Sequence, residues 1–210
     1  MSIAPPERLL IAGPAGELEL LIEQPAGAAP QAVAVCCHPH PLFGGSLTNK
    51  VVHTMARAFV SAGAAAVRFN FRGVGASVGV HDEGRGERED LLAVVDWARR
   101  RWPSLPLWLG GFSFGAWISL RAQAELAPAL LVSVAPPIGR WDFSDVSAPT
   151  CPWLVVQGSR DELVDPSAVA QYVQGFGAVA RWAPVAEADH FFHGQLHALR
   201  AAVEEFVARP

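Results

Sequence analysis

Several features are scarce or missing in this chain of 210 residues. The 16 basic residues are outnumbered by 20 acidic ones, and the net charge of −4 gives no electrostatic reason to expect nucleic acid or an anionic membrane surface as a partner. No run reaches the roughly 18 consecutive apolar residues of a membrane-spanning helix. The opening MSIAPPERLL also lacks the basic and then apolar segments of a secretory signal peptide. We therefore expect a cytoplasmic protein without a membrane partner.

Cysteine is scarce too, since the chain has only three. Two of them, Cys36 and Cys37, are adjacent within an apolar run, which is typical of buried, reduced thiols and not of a disulfide framework. Hydrophobic residues make up 51% of the chain and charged residues 17%, which is enough to form a core without disulfides or metals. We find no internal repeat and no low-complexity linker. The sequence therefore predicts one domain over residues 1–210.

Short apolar segments alternate with amphipathic ones along the chain. Strands are predicted at 8–12, within 13–27, and at 32–37, 64–71, 107–110, 129–135, 153–158 and 181–185. Helices are predicted between most of them. This alternation predicts an α/β fold: a mostly parallel, twisted sheet of about seven to eight strands with helices on both faces. Because functional sites in such sheets form beyond the carboxyl ends of the strands, candidate residues are expected in those loops.

The first candidate follows the predicted strand at 107–110, where the chain reads GGFSFGA. This segment fits the pattern G-x-S-x-G around Ser113. A sharp strand-to-helix turn holds such a serine in a strained backbone conformation and exposes its hydroxyl, which leaves no room for side chains two residues before and after it. The pattern is short, but its position between a strand and a helix favours Ser113 as a nucleophile over a plain turn residue.

Two later strand ends supply partners for a serine nucleophile. Asp161 follows the strand at 153–158, and His190 follows the last short strand. A serine hydroxyl needs an imidazole to accept its proton and a carboxylate to orient that imidazole. Asp165 and His193 are the alternatives. Asp165 precedes a proline and is interpreted as a helix N-cap, and His193 lies further into the final helix.

Together these segments resemble the α/β-hydrolase fold superfamily, specifically a small, lidless, bacterial, esterase-like branch related to dienelactone-hydrolase-type proteins. The shared motifs are CHPHPLFGGS, RFNFRGVGAS, LGGFSFGA, VVQGSRDELV and ADHFF, which fall between residues 31 and 207. The resemblance implies an α/β-hydrolase fold without a lid domain. It also implies a serine hydrolase, without metal or cofactor, that uses Ser113 as nucleophile, His190 as general base and Asp161 as orienting acid on a small-molecule ester or thioester.

The resemblance further implies an oxyanion hole made of two backbone N–H groups. One belongs to Phe114, directly after the nucleophile, and the other to the loop after the first buried strand. Relatives often have His-Gly in that loop, whereas this chain has His-Pro-His-Pro. Because Pro41 has no N–H, His40 is expected to donate by position, with Leu42 as the fallback. We interpret His38 as a hydrogen-bonding residue that shapes this loop.

Aromatic residues in the same loops are candidates for lining an acyl pocket: Phe43, Trp141, Phe143 and Phe191. The segment between Ser113 and Asp161 must also hold two strands and a helix, which leaves residues 136–149 too short for a helical lid. We therefore expect an open site that suits small or short-chain acyl groups.

Alternative interpretations remain for the same loops. The H-x-H and H-x-x-H spacings are compatible with a metal site, although no carboxylate or thiol cluster completes it; the histidines are His38, His40, His190 and His193. Arg72 is compatible with an anion site, but a structural salt bridge is favoured. The adjacent cysteines are interpreted as core thiols and not as nucleophiles. Outside the enzymes, the alternative is a catalytically silent scaffold that binds a ligand or a protein partner.

Overall fold

The computed structural model describes residues 2–210, which form one eight-stranded β-sheet flanked by five α-helices. The strands are β1 (Glu7–Gly13), β2 (Gly16–Glu23), β3 (Ala32–Cys37), β4 (Ala64–Phe69), β5 (Leu107–Phe112), β6 (Leu130–Val134), β7 (Trp153–Gly158) and β8 (Ala180–Val185). The helices are α1 (Lys50–Ser61), α2 (Arg85–Arg101), α3 (Phe114–Leu126), α4 (Pro166–Gln174) and α5 (Leu196–Ala208).

The strand order in the sheet is β1-β2-β4-β3-β5-β6-β7-β8. β1 and β2 form an antiparallel hairpin, β2 pairs antiparallel with β4, and the strands from β3 to β8 run parallel to one another. The order changes direction at β3, since β4 lies on one side of it and β5 on the other. The loops after β3 and β5 therefore diverge at a switch point, where parallel sheets commonly form sites. The predicted mostly parallel sheet is confirmed.

Helices cover both faces of the sheet, as expected. Helices α1 and α5 pack against one face of the sheet and form one hydrophobic cluster with it. Helices α2, α3 and α4 pack against the opposite face and form a second cluster. Every residue of β3, β4, β6 and β7 is buried. This two-sided burial explains why these strands appear in the sequence as unbroken apolar runs and not as alternating patterns.

β4 is shorter than expected, and the reason concerns the site. β4 ends at Phe69 and not at residue 71. The next two residues form side-chain-to-backbone hydrogen bonds with the loop after β3 instead of extending the parallel pairing. The Asn70 side-chain oxygen accepts from the Leu47 N–H at 2.7 Å, and the Phe71 N–H donates to His38 Nε2 at 3.0 Å. The end of β4 is thereby joined to the loop after β3.

Residues 136–149 contain turns and a single isolated bridge between Ile138 and Trp141, and no helix. The expected absence of a helical lid in this segment agrees with that conformation. Within residues 2–210, no helix combines the length and apolarity needed to cross a membrane.

Candidate active site

The turn after β5 holds Ser113 in a rare backbone conformation. Its φ is 52° and its ψ is −116°, a strained combination for a residue with a side chain. A Cβ on Gly111 would lie 2.2 Å from the Gly115 carbonyl oxygen, and a Cβ on Gly115 would lie 2.4 Å from the Cys37 carbonyl oxygen. The two glycines of the motif are therefore required by backbone contacts, both inside the turn and between the turn and the end of β3.

Ser113, His190 and Asp161 come together at the carboxyl edge of the sheet. Ser113 Oγ lies 3.1 Å from His190 Nε2, and His190 Nδ1 lies 2.8 Å from Asp161 Oδ2. The histidine is 3% exposed and the aspartate 8% exposed. The imidazole is thus placed between hydroxyl and carboxylate, which is the geometry needed to accept a proton from the hydroxyl.

The Asp161 carboxylate is held by three further donors. Its Oδ1 accepts from the backbone N–H groups of Leu163 and Val164 at 2.9 and 2.8 Å, and its Oδ2 accepts from Gln157 Nε2 at 2.7 Å. These bonds fix the orientation of the carboxylate toward His190. Gln157 was not identified from the sequence, because a glutamine inside an apolar strand gives no local sign that its side chain reaches the next loop.

The two alternative residues have other roles in the structure. Asp165 caps helix α4, where its side chain accepts from the Ser167 N–H at 2.9 Å. His193 forms an exposed pair with Asp189 at 2.6 Å, and its side chain is 65% exposed. His193 is not hydrogen-bonded to Ser113, and Asp165 is not hydrogen-bonded to His190, so the geometry favours His190 and Asp161 over them.

Two candidate oxyanion donors come from different loops, Phe114 from the turn after β5 and His40 from the loop after β3. Among the described residues, the backbone N–H groups of Phe114 and His40 donate to no protein acceptor. The Leu42 N–H is already engaged, since it donates to His40 Nδ1 at 3.2 Å. This arrangement favours His40 over the fallback Leu42. Burial and the neighbouring His81 lower the pKa of His40.

His38 fastens the base of the same loop. It is fully buried, its Nδ1 lies 2.6 Å from the Pro39 carbonyl oxygen, and its Nε2 accepts from the Phe71 N–H. Burial lowers the pKa of His38 to about 4, so the ring is neutral at neutral pH, with Nδ1 as the donor and Nε2 as the acceptor. The structure thus gives His38 the loop-shaping hydrogen bonds expected from the sequence.

The loop closes in a tight turn that depends on Gly45. Its N–H donates to the His40 carbonyl at 3.1 Å, and a Cβ at this position would lie 2.0 Å from the Pro39 carbonyl oxygen. The neighbouring Gly44 differs: it has a φ of 79°, but a Cβ there would meet nothing within 4 Å. A side chain at position 45 is therefore excluded by lack of space, whereas a side chain at position 44 is disfavoured only by the positive φ of the backbone.

A cavity of about 290 Å³ opens beside Ser113 and His190. It is lined by His40, Phe43, Phe114, Pro137, Arg140, Trp141, Leu163 and Val164. Phe43 and Trp141 were expected there. Phe143 and Phe191 were also expected but are not among the lining residues. The Phe143 ring packs on Tyr172, and the Phe191 ring packs edge-on against His190 and on Phe112. The sequence did not identify Arg140, Leu163 and Val164 as lining residues, because an irregular loop has no periodicity that indicates which way its side chains point.

The other candidate groups near the site are buried or bonded to protein groups, which favours structural roles for them. The Cys36 and Cys37 side chains are fully buried, and burial raises the pKa of Cys37 to about 12. Arg72 is bound to Asp90 through hydrogen bonds of 2.8–3.1 Å. Both ring nitrogens of His38 contact backbone groups, so His38 is not available as a metal ligand. Within residues 2–210, no three His, Cys, Asp or Glu side chains cluster in a way suited to a metal.

A family model described as an alpha/beta hydrolase domain matches residues 43–201 of this chain. That span is well over half of the sequence, and it contains Ser113, Asp161 and His190. The chain therefore belongs to the alpha/beta hydrolase family.

Two solved bacterial structures and one further bacterial protein are similar along nearly the whole chain. A serine hydrolase of this fold without a lid, from Xanthomonas campestris, is 46% identical with a TM-score of 0.92, over 97% of this chain and 94% of that one. An alpha-beta serine hydrolase homologue from Coxiella burnetii is 44% identical with a TM-score of 0.91, over 95% and 96%. An uncharacterised Rickettsia prowazekii protein is 32% identical, over 93% of this chain and 86% of that protein. The expected lidless bacterial branch is confirmed, and these relatives support a hydrolase.

Proposed function

We propose that this protein is a serine hydrolase that cleaves small or short-chain carboxylic esters or thioesters through an acyl-enzyme on Ser113. The observation that carries the proposal is the continuous line of contacts from Ser113 Oγ through the His190 ring to Asp161, at 3.1 and 2.8 Å. The 46% identity to the lidless serine hydrolase of Xanthomonas campestris supports the same class of chemistry.

The proposed acylation step begins at His190. Because Nδ1 faces the Asp161 carboxylate, the ring carries its proton there and leaves Nε2 free to accept. Ser113 Oγ attacks the carbonyl carbon of the substrate while Nε2 takes the hydroxyl proton. Asp161 stabilises the resulting imidazolium, which then protonates the departing alcohol or thiol.

The negative oxygen of the tetrahedral intermediate is assigned to the backbone N–H groups of Phe114 and His40. The Phe114 N–H is the first of helix α3, so the positive end of the helix dipole lies at the same place. Hydrogen-bond donors that are already in place before the reaction stabilise the transition state more than donors that must first reorganise. Loss of one typically lowers kcat by about 10²–10³.

Deacylation reverses these roles. The oxygen of a water molecule attacks the acyl carbon while His190 Nε2 accepts its proton. The bond from that carbon to Ser113 Oγ then breaks, the imidazolium returns the proton to Ser113 Oγ, and the acid departs. The cavity of about 290 Å³ and the helix-free segment 136–149 support small acyl groups in place of long chains, which normally require a covered apolar site.

The test is hydrolysis of p-nitrophenyl acetate, butyrate, octanoate and palmitate by the wild type and by Ser113→Ala, with EDTA present. We expect turnover that favours the short chains, resists EDTA and falls by about 10⁶ in the variant, as in other triads. Turnover that survives in Ser113→Ala would exclude Ser113 as the nucleophile. Loss of turnover with EDTA would indicate a metal mechanism, and inactivity of the wild type toward every ester would favour the silent scaffold.

A further inference from the structure

The cavity beside Ser113 contains one side chain that ester hydrolysis alone does not explain. Arg140 lines it, and the other lining residues are apolar or aromatic apart from Ser113 and two histidines. Arg140 is exposed to solvent, so an anion entering the cavity can reach it. A guanidinium is permanently positive, which makes it the one fixed charge among the described residues that line this cavity.

Arg140 also differs from most other arginines of the chain. Twelve of them lie within 4.0 Å of a carboxylate. Arg72, for example, is bound to Asp90 through both Nε and Nη2. Within residues 2–210, Arg140 has no such carboxylate. Its charge is therefore available to a ligand, whereas the charge of Arg72 is not.

A single backbone contact holds the guanidinium in place. Arg140 Nη1 donates to the Leu163 carbonyl at 2.7 Å, which links the segment 136–149 to the loop that carries Asp161. Among the described residues, no protein acceptor is bonded to its Nε or Nη2. These two N–H groups lie along one edge of the guanidinium, and such an edge can bind the two oxygens of a carboxylate in parallel.

We propose that Arg140 binds a carboxylate of the substrate, so that the preferred substrate is an ester or thioester that carries a second, free carboxylate. This inference rests on the proposed hydrolase function and names the substrate class for the same site. The carboxylate binds at the Arg140 end of the cavity, and the ester carbonyl lies at Ser113.

A carboxylate fits this end of the cavity better than a phosphate does. One guanidinium supplies one positive charge and two free parallel donors, which matches a single carboxylate. A phosphate dianion needs further positive groups, and no lysine or second arginine lines the cavity among the described residues. The acidic residues nearby have other partners: Asp145 is paired with Arg121, Asp142 accepts from the Ser144 N–H, and Glu162 accepts from the His190 N–H at 3.2 Å. None of these three carboxylates lines the cavity.

The test compares two pairs of esters that differ in charge. In the first pair the carboxylate lies on the acyl side: monomethyl glutarate is compared with its neutral terminal carboxamide. In the second pair it lies on the alcohol side: 4-carboxyphenyl acetate is compared with the neutral 4-carbamoylphenyl acetate. Each kcat/KM is divided by the alkaline hydrolysis rate of the same ester. We expect the wild type to prefer the anionic member of at least one pair by about 10-fold or more, and the preference to shrink at high salt.

Substitutions of Arg140 test whether this residue causes the preference for the anionic ester. Arg140→Gln is expected to bring the ratio within the preferred pair close to one, and Arg140→Lys to retain part of it, because lysine keeps the charge but lacks the parallel donors. The control is Arg100→Gln, which removes an exposed arginine paired with Asp96 on helix α2 and should leave the ratio unchanged. Ratios within one variant are insensitive to the amount of folded enzyme.

Failure of this inference and failure of the proposed function give different results. Turnover of the neutral esters without preference for either anionic ester would overturn the role of Arg140 and leave the serine hydrolase intact. If no ester is hydrolysed, calorimetry with glutarate and Ser113→Ala protein decides. Glutarate binding that disappears in Ser113→Ala/Arg140→Gln supports the carboxylate site, and absence of binding overturns it.

Discussion

The two loops that meet at Ser113 keep their shapes by different physical means. The turn after β5 is fixed by exclusion, because Gly111 and Gly115 lie so close to backbone atoms that a methyl group at either position overlaps a carbonyl. The loop after β3 is fixed by long-range bonds, above all the contact between His38 and the Phe71 N–H at the end of β4. The difference teaches that the nucleophile is positioned by lack of space in its own turn and against the end of β3, whereas its candidate oxyanion partner depends on a hydrogen bond between the loop after β3 and the end of β4.

The largest effect is expected from filling the turn after β5. In Gly115→Ala the new methyl group overlaps the Cys37 carbonyl, so helix α3 must move away from β3. Because both Ser113 and the Phe114 N–H move with that helix, we expect kcat/KM for p-nitrophenyl butyrate to fall by about 10³. Urea unfolding should show a loss of about 1–3 kcal/mol. A variant with wild-type kcat/KM would refute steric fixation of this turn.

A smaller effect is expected in the loop after β3, where adjacent glycines give a matched pair. Gly45→Ala overlaps the Pro39 carbonyl and should lower kcat by about 10², the typical loss of one oxyanion donor. Gly44→Ala meets nothing within 4 Å, and its positive φ should cost about 1 kcal/mol of stability with little loss of kcat. Equal losses of kcat in the two variants would contradict a positioned His40 N–H.

The smallest effect on kcat, with a distinct pH signature, is expected from His38→Gln. The wild-type ring has a pKa of about 4 when folded and an ordinary value of 6.5 when unfolded. The unfolded chain therefore binds more protons between these values, and stability that is complete above about pH 6.5 declines by about 2–3 kcal/mol as the pH falls toward 4. Urea unfolding at several pH values should show a shallower decline in His38→Gln.

The decline should not vanish in that variant, because His40 and His53 also have pKa values lowered by burial and act in the same direction. The kcat of His38→Gln should fall by about 10-fold, since glutamine offers an acceptor to the Phe71 N–H in a different geometry. An unchanged pH profile of stability would show that His38 is not neutral in the folded protein.

The same distinction explains how much the sequence reveals. The sheet, its helices and the cluster of Ser113, Asp161 and His190 at the strand ends are predictable, because periodicity and the glycine pattern are local. The contact of Arg140 with Leu163 is not, because it joins two loops distant in the sequence. The contact of Gln157 with Asp161 is not either, because nothing in an apolar strand indicates which way a glutamine side chain faces. Phe143 and Phe191 show the same limit, since position in a loop does not determine which way a ring faces.

The most direct test of the central claim is the intact mass of the protein after reaction with a fluorophosphonate. An activated serine displaces fluoride and keeps the phosphonyl group, so each labelled chain gains one adduct mass. We predict one adduct per wild-type chain, located on Ser113 by peptide mapping, and none on Ser113→Ala. Equal labelling of both proteins, or an unlabelled wild type, would contradict the assignment of Ser113 as the nucleophile.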